Sequence, residues 1–204
     1  MICKQLLTLG FCAFLALGLS RCAKDLEGEY SDPNSVEIVD DQWNETDART
    51  TAQAMVKGML DRPWIKGYGQ AHGGKKPLVV VDEVENRTDE HIDTKMLTEF
   101  IQDELINSGR VRFLDKAGRQ KILDEIKYQE SGAVAADKAS KGGRQLGAQF
   151  ILKGAMTSII QQEGKLKVIT YQTNLTLTNL ETSELEWSEK KLIKKRMKRS
   201  SASW

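Results

Sequence analysis

The strongest constraint on the fold is a run of β-branched residues that lies between two segments with helical spacing. Residues Leu78 to Val84 read Leu-Val-Val-Val-Asp-Glu-Val. A nearly continuous apolar run of this kind is typical of a strand that is covered on both faces. The run therefore predicts a central strand in a domain whose helices pack on a sheet.

A helix is predicted immediately before this strand. From Asn44 to Leu60 the apolar residues recur at helical spacing, and Asn44 or Thr46 can cap the first turn. The glycine-rich stretch from Gly67 to Lys76 breaks that spacing and predicts a loop.

Two further helices are predicted in the middle of the chain. One is capped by Asp93 or Thr94 and stops at Gly109, and another is capped by Asp115 after a short strand over residues 111–114. The second of these carries Ile122, Leu123 and Ile126. A weaker helix, diluted by glycines, is predicted from Ala135 to Leu146.

The last third of the chain predicts adjacent strands. They run from Phe150 to Ile160, from Leu166 to Leu180 and from Leu185 to Ile193, with a turn at Glu181 to Glu184. Alternation in the second strand places one set of residues on one face: Ile169, Tyr171, Thr173, Leu175 and Leu177. The predicted fold class is α/β (α+β mixed), with a single mixed sheet of about four to five strands and helices packed against it.

The N-terminus predicts an export signal and a lipid anchor. A basic Lys4 and an apolar stretch from Leu6 to Leu19 precede Cys22. The stretch is shorter than the roughly 20 residues that a membrane-spanning helix needs, so it predicts a signal peptide over residues 1–21. The other two cysteines lie within that signal. Lipidation of Cys22 is therefore expected, although Arg21 stands where a small residue is usual; an ordinary signal with an incidental cysteine is the alternative.

The remaining chain divides into three parts. Residues 22–41 are polar and acidic, which predicts a flexible tether with an average reach of about 25 Å. Residues 42–196 are predicted to form the folded domain, and residues 197–204 a disordered basic tail. The basic residues from Lys190 to Arg199 indicate either a frayed, solubilising terminus or a contact with anionic lipid.

No cofactor, metal or nucleic-acid site is expected from the sequence. The formal net charge of +1 does not indicate a nucleic-acid partner. Gly69 to Lys75 nearly spells a phosphate-binding loop, but Lys76 replaces its Ser or Thr, and the stretch precedes a strand instead of following one. His72 and His91 have no second ligand at metal spacing.

Two groups of residues remain as candidates. Asp82, Glu83 and Glu85 cluster near a strand end, where carboxylates either act as acid and base or form a solvated edge. The aromatic residues Trp64 and Tyr68, with Trp43, either anchor a partner or cover the sheet.

Four stretches of the chain resemble the LpoB family of lipoproteins, whose domain is similar to the amino-terminal domain of TolB. They are Trp43-Asn44 with residues 55–60, Leu78 to Asp82 with Asn86-Arg87-Thr88, Leu146 to Leu152, and residues 175–188. The triplet Asn86-Arg87-Thr88 is the most specific of them. It is either part of a partner surface or a structural turn, because Asn and Thr side chains can bind turn amides.

The resemblance implies a function that does not include catalysis. Members of this family bind a noncatalytic domain of a bifunctional penicillin-binding protein and stimulate peptidoglycan synthesis from an outer-membrane anchor. The expected protein is a monomer facing the periplasm. Its tether is short and carries one proline, whereas the best-known members have a long proline-rich tether. The alternatives are an oligomeric scaffold lipoprotein that supports an envelope or secretion complex, and an enzyme that uses Asp82 and Glu85 on cell-wall sugars.

Overall fold

The computed structural model describes residues 28–33, 35–38, 40–135, 137–138 and 147–198. Cys22, the predicted signal peptide and residues 199–204 lie outside this part. The same holds for residue 136 and residues 139–146, which make up most of the weak helix predicted over Ala135 to Leu146.

The first helix, α1, spans Glu45–Leu60 and begins at a reciprocal cap. Asn44 Oδ1 accepts from the Asp47 backbone N–H at 3.0 Å, and Asp47 Oδ2 accepts from the Asn44 N–H at 3.1 Å. This capping box satisfies two backbone donors that the helix itself cannot pair. The apolar residues predicted at helical spacing, Ala52, Met55, Val56, Met59 and Leu60, are buried, and Ala48 is buried beside them.

A second helix, α2, spans Trp64–Ala71, where the sequence predicted a loop from Gly67. That prediction is wrong for residues 67–71. Pro63 precedes the helix with φ −63°, a value that already suits a helical start. The Trp64 indole N–H donates to the Met59 carbonyl at 2.9 Å, so the first turn is held on the end of α1. Tertiary contact thus outweighs the low helix propensity of two glycines.

The central strand predicted over Leu78 to Val84 ends at Val81, and a second short strand begins just after the predicted range. β1 spans Leu78–Val81, with all four residues buried, and β2 spans Glu85–Asn86. Both pair in parallel with the next long strand, but Val81 pairs with Leu152 and Glu85 with Ala155. Between these two pairs the chain advances by four residues on the side of β1 and β2 but by three on the partner strand. The extra residue forms a bulge.

The next helix, α3, spans Lys95–Asn107 and buries Leu97, Thr98, Ile101 and Leu105. Thr94, one of the two predicted capping residues, stands at the cap position but makes no side-chain cap bond. Asp93, the other, accepts through Oδ1 from the Lys95 N–H at 2.9 Å and so supports the first turn. The chain leaves the helix through Gly109 at φ +61°, a conformation that favours glycine.

A short strand and an exposed helix follow. β3 spans Arg112–Phe113, and α4 spans Arg119–Tyr128, with a wide helical turn over Gln129–Ala133 after it. Asp115 was predicted to cap this helix. Its Oδ1 accepts instead from the Gly118 N–H at 2.6 Å, which closes a turn before the helix begins. None of the side chains of α4 is buried.

The last three strands form two long hairpins. β4 spans Phe150–Glu163, β5 spans Leu166–Asn179 and β6 spans Leu185–Lys198. The predicted inward set of β5 is confirmed, because all five of those side chains are buried. β6 continues two residues beyond the predicted domain end at residue 196. Its basic residues up to Lys198 therefore lie in a strand and not in a frayed tail.

The described strands form one mixed sheet in the order β3-β1-β4-β5-β6, with β2 beside β4. β3, β1 and β4 run parallel, whereas β4, β5 and β6 are antiparallel neighbours. This confirms the predicted mixed sheet. The core lies on one face, the inner face, where α1 and α3 pack. No helix in the described ranges is both long and apolar enough to cross a membrane.

Candidate functional site

The structure places Trp64 in the core. Only 9% of its surface is exposed, and its ring centroid lies 5.2 Å from that of Phe150. With its N–H bonded to the Met59 carbonyl, Trp64 fixes α2 against the start of β4. This is the sheet-covering role, which the sequence left open beside partner binding.

Tyr68 lies one turn further along α2 and is partly exposed. Its ring meets Phe150 edge-on at 5.5 Å and stacks on His72 at 3.9 Å. The His72 Nδ1 lies 2.8 Å from the Tyr68 carbonyl oxygen, which holds the two rings together. Tyr68 therefore offers a fixed aromatic edge at the surface.

Asn86 organises the loop that follows β2. Its amide nitrogen donates to the carbonyls of Glu90 and Ile92 at 2.8 and 3.3 Å. Its Oδ1 accepts from the Thr88 N–H at 2.9 Å and the Thr88 hydroxyl at 2.8 Å. Such an arrangement replaces the ladder bonds that the chain loses when it leaves the sheet. Two of the three residues of the triplet thus hold a turn.

The side chain of Arg87, the middle residue, bonds to Glu85 and not to the groups of that network. Its guanidinium pairs with the Glu85 carboxylate at 2.5 Å, and 63% of its side chain is exposed. Arg87 is therefore an exposed residue of the triplet whose side chain does not take part in closing the loop.

The aromatic pair and the triplet occupy separate places on the sheet. Trp64 and Tyr68 contact Phe150 at the start of β4, whereas Asn86 pairs with Met156 six residues later. At the usual strand rise, six residues correspond to roughly 20 Å. The candidate partner residues therefore do not form one compact site.

The acidic cluster lies in a cleft at the carboxyl ends of β1 and β3. This cleft has a volume of about 400 Å³ and is lined by Val81, Asp82, Glu83, Thr98, Phe113 and Lys116, among others. Asp82 Oδ1 pairs with Lys116 Nζ at 2.7 Å. That hydrogen bond holds the pKa of Asp82 below its usual value, so the carboxyl stays ionised at neutral pH. A general acid needs the opposite shift.

Glu85 is held by Arg87 and lies outside the residues that line this cleft. The two carboxylates proposed for the alternative enzyme thus have separate cationic partners. Among the residues that the structure describes, no three His, Cys, Asp or Glu side chains are grouped as a metal site would require.

A polar cluster that the sequence analysis missed holds the start of the domain. The Tyr171 hydroxyl donates to the Glu90 carboxylate at 2.7 Å and lies 3.1 Å from the Asp41 carbonyl oxygen. Trp43 packs edge-on against Tyr171 at 5.4 Å. Burial is the larger cause and the hydrogen bond to Glu90 the next, and together they raise the pKa of Tyr171 well above its usual value of 10.0. Tyr171 thus joins the triplet loop to residues 41–43.

Lys195 completes this cluster from β6. Its Nζ pairs with Asp47 Oδ2 at 2.6 Å and contacts the Gln42 carbonyl oxygen, with 4% of its side chain exposed. Lys167 pairs with Asp41 at 2.7 Å beside it. Alternation along β6 could have identified this residue from the sequence, because it puts Lys195 on the inward face of the strand together with Trp187. An inward lysine predicts a buried partner.

Comparisons with known proteins identify the family. The profile described as peptidoglycan-synthase activator LpoB matches residues 47–193. A search of curated proteins gave no significant match. Among solved structures, the LpoB C-terminal domain from Salmonella enterica is similar at 19% identity and a TM-score of 0.42, over 72% of this chain and 98% of that chain.

Two other solved structures are similar at comparable levels. The LpoB C-terminal domain from Escherichia coli has 18% identity and a TM-score of 0.42, over 72% of this chain and 98% of that one. A lipoprotein from Neisseria meningitidis has 16% identity and a TM-score of 0.37, over 62% and 88% of the two chains. Because the family profile spans residues 47–193, which is more than half of the sequence, the chain belongs to the LpoB family.

Proposed function

We propose that the protein is a lipid-anchored regulator that binds a bifunctional penicillin-binding protein and stimulates its synthesis of peptidoglycan. The observation that carries the proposal is the match of the synthase-activator family to residues 47–193, which include nearly all of the folded domain. Binding would occur without chemistry on this chain, in keeping with the low pKa of Asp82 and the separate pairing of Glu85.

The proposed anchor is an acylated Cys22 that follows a signal over residues 1–21. Ala23 is the next residue, which by the common sorting habit directs a lipoprotein to the outer membrane. On this view the domain faces the periplasm as a monomer. Residues 41–43 are attached to Tyr171, Lys167 and Lys195, so the proposed tether would leave the domain at one defined place.

The function is tested with the full mature chain, purified in detergent, and the purified bifunctional synthases of the same organism. We expect the chain to retain one synthase in a pull-down and to raise its rate of lipid II polymerisation severalfold. Heat-denatured chain at the same concentration is the control. Absence of both binding and stimulation, with every bifunctional synthase tried, would refute the proposal.

The anchor is tested separately by replacing the cysteine. Cys22→Ala is expected to abolish acylation and to move the protein from the membrane fraction to the soluble fraction. Mass spectrometry of the mature N-terminus should show an acylated cysteine in the wild type. An unmodified thiol on soluble wild-type protein would contradict the anchor while leaving the activator function open.

A further inference from the structure

The outward side of the last three strands forms a second surface, here called the outer face. It consists of the side chains of β4, β5 and β6 that point away from the helices. The strand register arranges them in rows of three, such as Ile159-Thr170-Lys194 and Thr157-Gln172-Leu192. The other rows are Glu163-Leu166-Lys198, Gln161-Val168-Arg196, Ala155-Asn174-Lys190 and Lys153-Thr176-Ser188.

The outward side chains on both flanking strands of the outer face, β4 and β6, include exposed residues. Ile159 on β4 is 67% exposed and Leu192 on β6 is 58% exposed, and every outward residue of β6 from Ser188 onward is exposed. The outward residues of the central strand are half-buried by these neighbours. Strands with one buried and one open face usually show polar residues outside, so exposed aliphatic side chains at two positions need a reason.

The charge of the outer face is strongly positive. Five of its six rows contain a cation, and the cations are Lys153, Lys190, Lys194, Arg196 and Lys198. Within the described residues none of these five makes a salt bridge. Glu163 is the acidic residue in the rows, and the neighbouring Glu85 of β2 is already paired with Arg87. Unpaired like charges on one surface create a potential that attracts an acidic partner.

A depression lies within this charged region. It has a volume of about 410 Å³, and its lining combines the aliphatic side chains of Leu166 and Val168 with Gln161, Lys194 and Arg196. An aliphatic floor beside two cations suits a carboxylate side chain of a partner, since its methylene groups and its charge are both accommodated.

The side chains of the face favour a protein over a lipid surface or a second copy. Proteins that lie on membranes use aromatic side chains at the interface, and the rows contain none. Thr170 and Gln172 offer hydrogen-bonding groups at the centre instead, as protein interfaces do. A second copy of the same face would bring like charges together.

We propose that the outer face is the docking surface for an acidic surface on the periplasmic part of the synthase. The inference rests on the proposed function and adds to it the position and charge of the interface. Electrostatic attraction by the five cations brings the partner to the sheet, and Ile159 and Leu192 supply the apolar contacts once it is bound.

The test compares two double variants of the full chain with equal changes of charge. Lys190→Glu with Lys194→Glu reverses two cations of the outer face. Lys75→Glu with Lys76→Glu reverses two exposed lysines in the loop between α2 and β1 and serves as the matched control. Binding to the synthase is measured by surface plasmon resonance at about 50 and 300 mM NaCl, because salt screens such contacts.

We expect the outer-face variant to bind at least about tenfold more weakly at low salt, and to lose most of the salt dependence of the wild type. The control should bind within about twofold of the wild type. Lys190→Gln with Lys194→Gln should give an intermediate loss, and this milder variant also guards against misfolding, which circular dichroism checks.

The outcomes separate the two proposals. Wild-type chain that binds no synthase refutes the proposed function. Wild-type binding that the outer-face variants leave unchanged overturns the docking surface alone, and a loss in the Lys75 and Lys76 control alone would place the interface near α2. If the outer-face variants keep synthase binding but lose self-association or adsorption to phosphatidylglycerol vesicles, the face serves a second copy or a lipid and the inference is wrong.

Discussion

Lys195 is buried although it carries a charge, and its partners explain why it is tolerated. Its ammonium group contacts a carboxylate and a backbone carbonyl at the N-terminal end of α1. Asp47 also caps that helix. A buried charge is costly unless it is paired and hydrogen-bonded, so this contact specifies how the first helix sits on the last strand.

Removing one charge of this pair should destabilise the domain. Lys195→Met leaves Asp47 buried without its counter-charge, and we expect a loss of about 3 kcal/mol in the free energy of unfolding, measured with urea. Lys191→Met, a half-buried lysine on the same strand face, is the control and should change stability by less than about 0.5 kcal/mol. The double variant Asp47→Asn with Lys195→Met should lose less than the sum of the single losses; simple additivity would contradict a coupled pair.

Tyr171 should make the domain sensitive to alkaline pH. Its pKa is raised in the folded state, so above pH 10.0 the unfolded chain loses this proton and the folded chain keeps it. The contribution is fully present below that pH and is lost as the pH rises, by up to about 1.4 kcal/mol per pH unit. Between pH 8 and 11 the free energy of unfolding should fall less steeply with pH for Tyr171→Phe than for the wild type. Tyr128→Phe, at an exposed site, is the control, and parallel curves for all three proteins would refute the effect.

At the scale of elements, the loop from Asn86 to Ile92 connects sheet and helix through one side chain. The amide of Asn86 reaches two carbonyls and two donors across this loop. The bulge before it is secured in a similar way, since Thr98 Oγ1 of α3 accepts from the buried Val84 N–H at 3.1 Å. Side chains thus bond to the backbone groups of the loop where strand pairing stops.

Substitutions within the triplet should separate its structural residue from its accessible one. Asn86→Ala removes the bonds that close the loop and should cost about 1 to 2 kcal/mol of stability. Arg87→Ala removes an exposed ion pair and should change stability by no more than about 0.5 kcal/mol. Urea unfolding and synthase binding are measured on both. Unchanged stability of Asn86→Ala together with lost binding would show that the triplet is an interface and not a turn.

Two glycines should respond in opposite ways to alanine. A Cβ on Gly154 of β4 would lie 2.3 Å from the Asn174 carbonyl oxygen of β5, so Gly154→Ala should separate the strands and cost about 2 to 3 kcal/mol. Gly69 in α2 has no atom within 4 Å of such a Cβ, and Gly69→Ala should stabilise the helix by about 0.5 to 1 kcal/mol. Thermal unfolding of both variants tests whether the first loses stability and the second gains it. A stable Gly154→Ala protein would mean that the two strands can move apart.

At the scale of the whole molecule, the lysines of the long edge strand β6 should keep the protein monomeric. β6 pairs with β5 on one side, and in the sheet order it is the last strand. Its lysines oppose pairing with another copy, since edge-to-edge contact would bring like charges together. Light scattering of the detergent-purified chain, corrected for detergent, should give one copy per particle at about 50 mM NaCl. A dimer or larger ring under these conditions would favour the scaffold alternative.

Much of the fold was readable from local patterns. The capping residues before α1, the stripes of α1 and α3, the buried run of β1 and the alternation of β5 all follow from periods and caps that involve near neighbours in the chain. The family was indicated by four short motifs, which lie mainly in or beside α1 and the strands, and the profile match confirms it.

The amino-acid sequence by itself therefore determined the order and type of nearly all elements, because helix and strand patterns depend on neighbouring residues. Only the tertiary structure decided which distant groups meet. Tyr171 and Glu90 are 81 positions apart, and neither residue carries a local sign of its partner. The helix at residues 64–71, the bulge after β1 and the open, cationic side of the last hairpins were decided in the same way. Burial, strand register and the face that helices leave uncovered are properties of the assembled sheet, and they decide where this protein can bind.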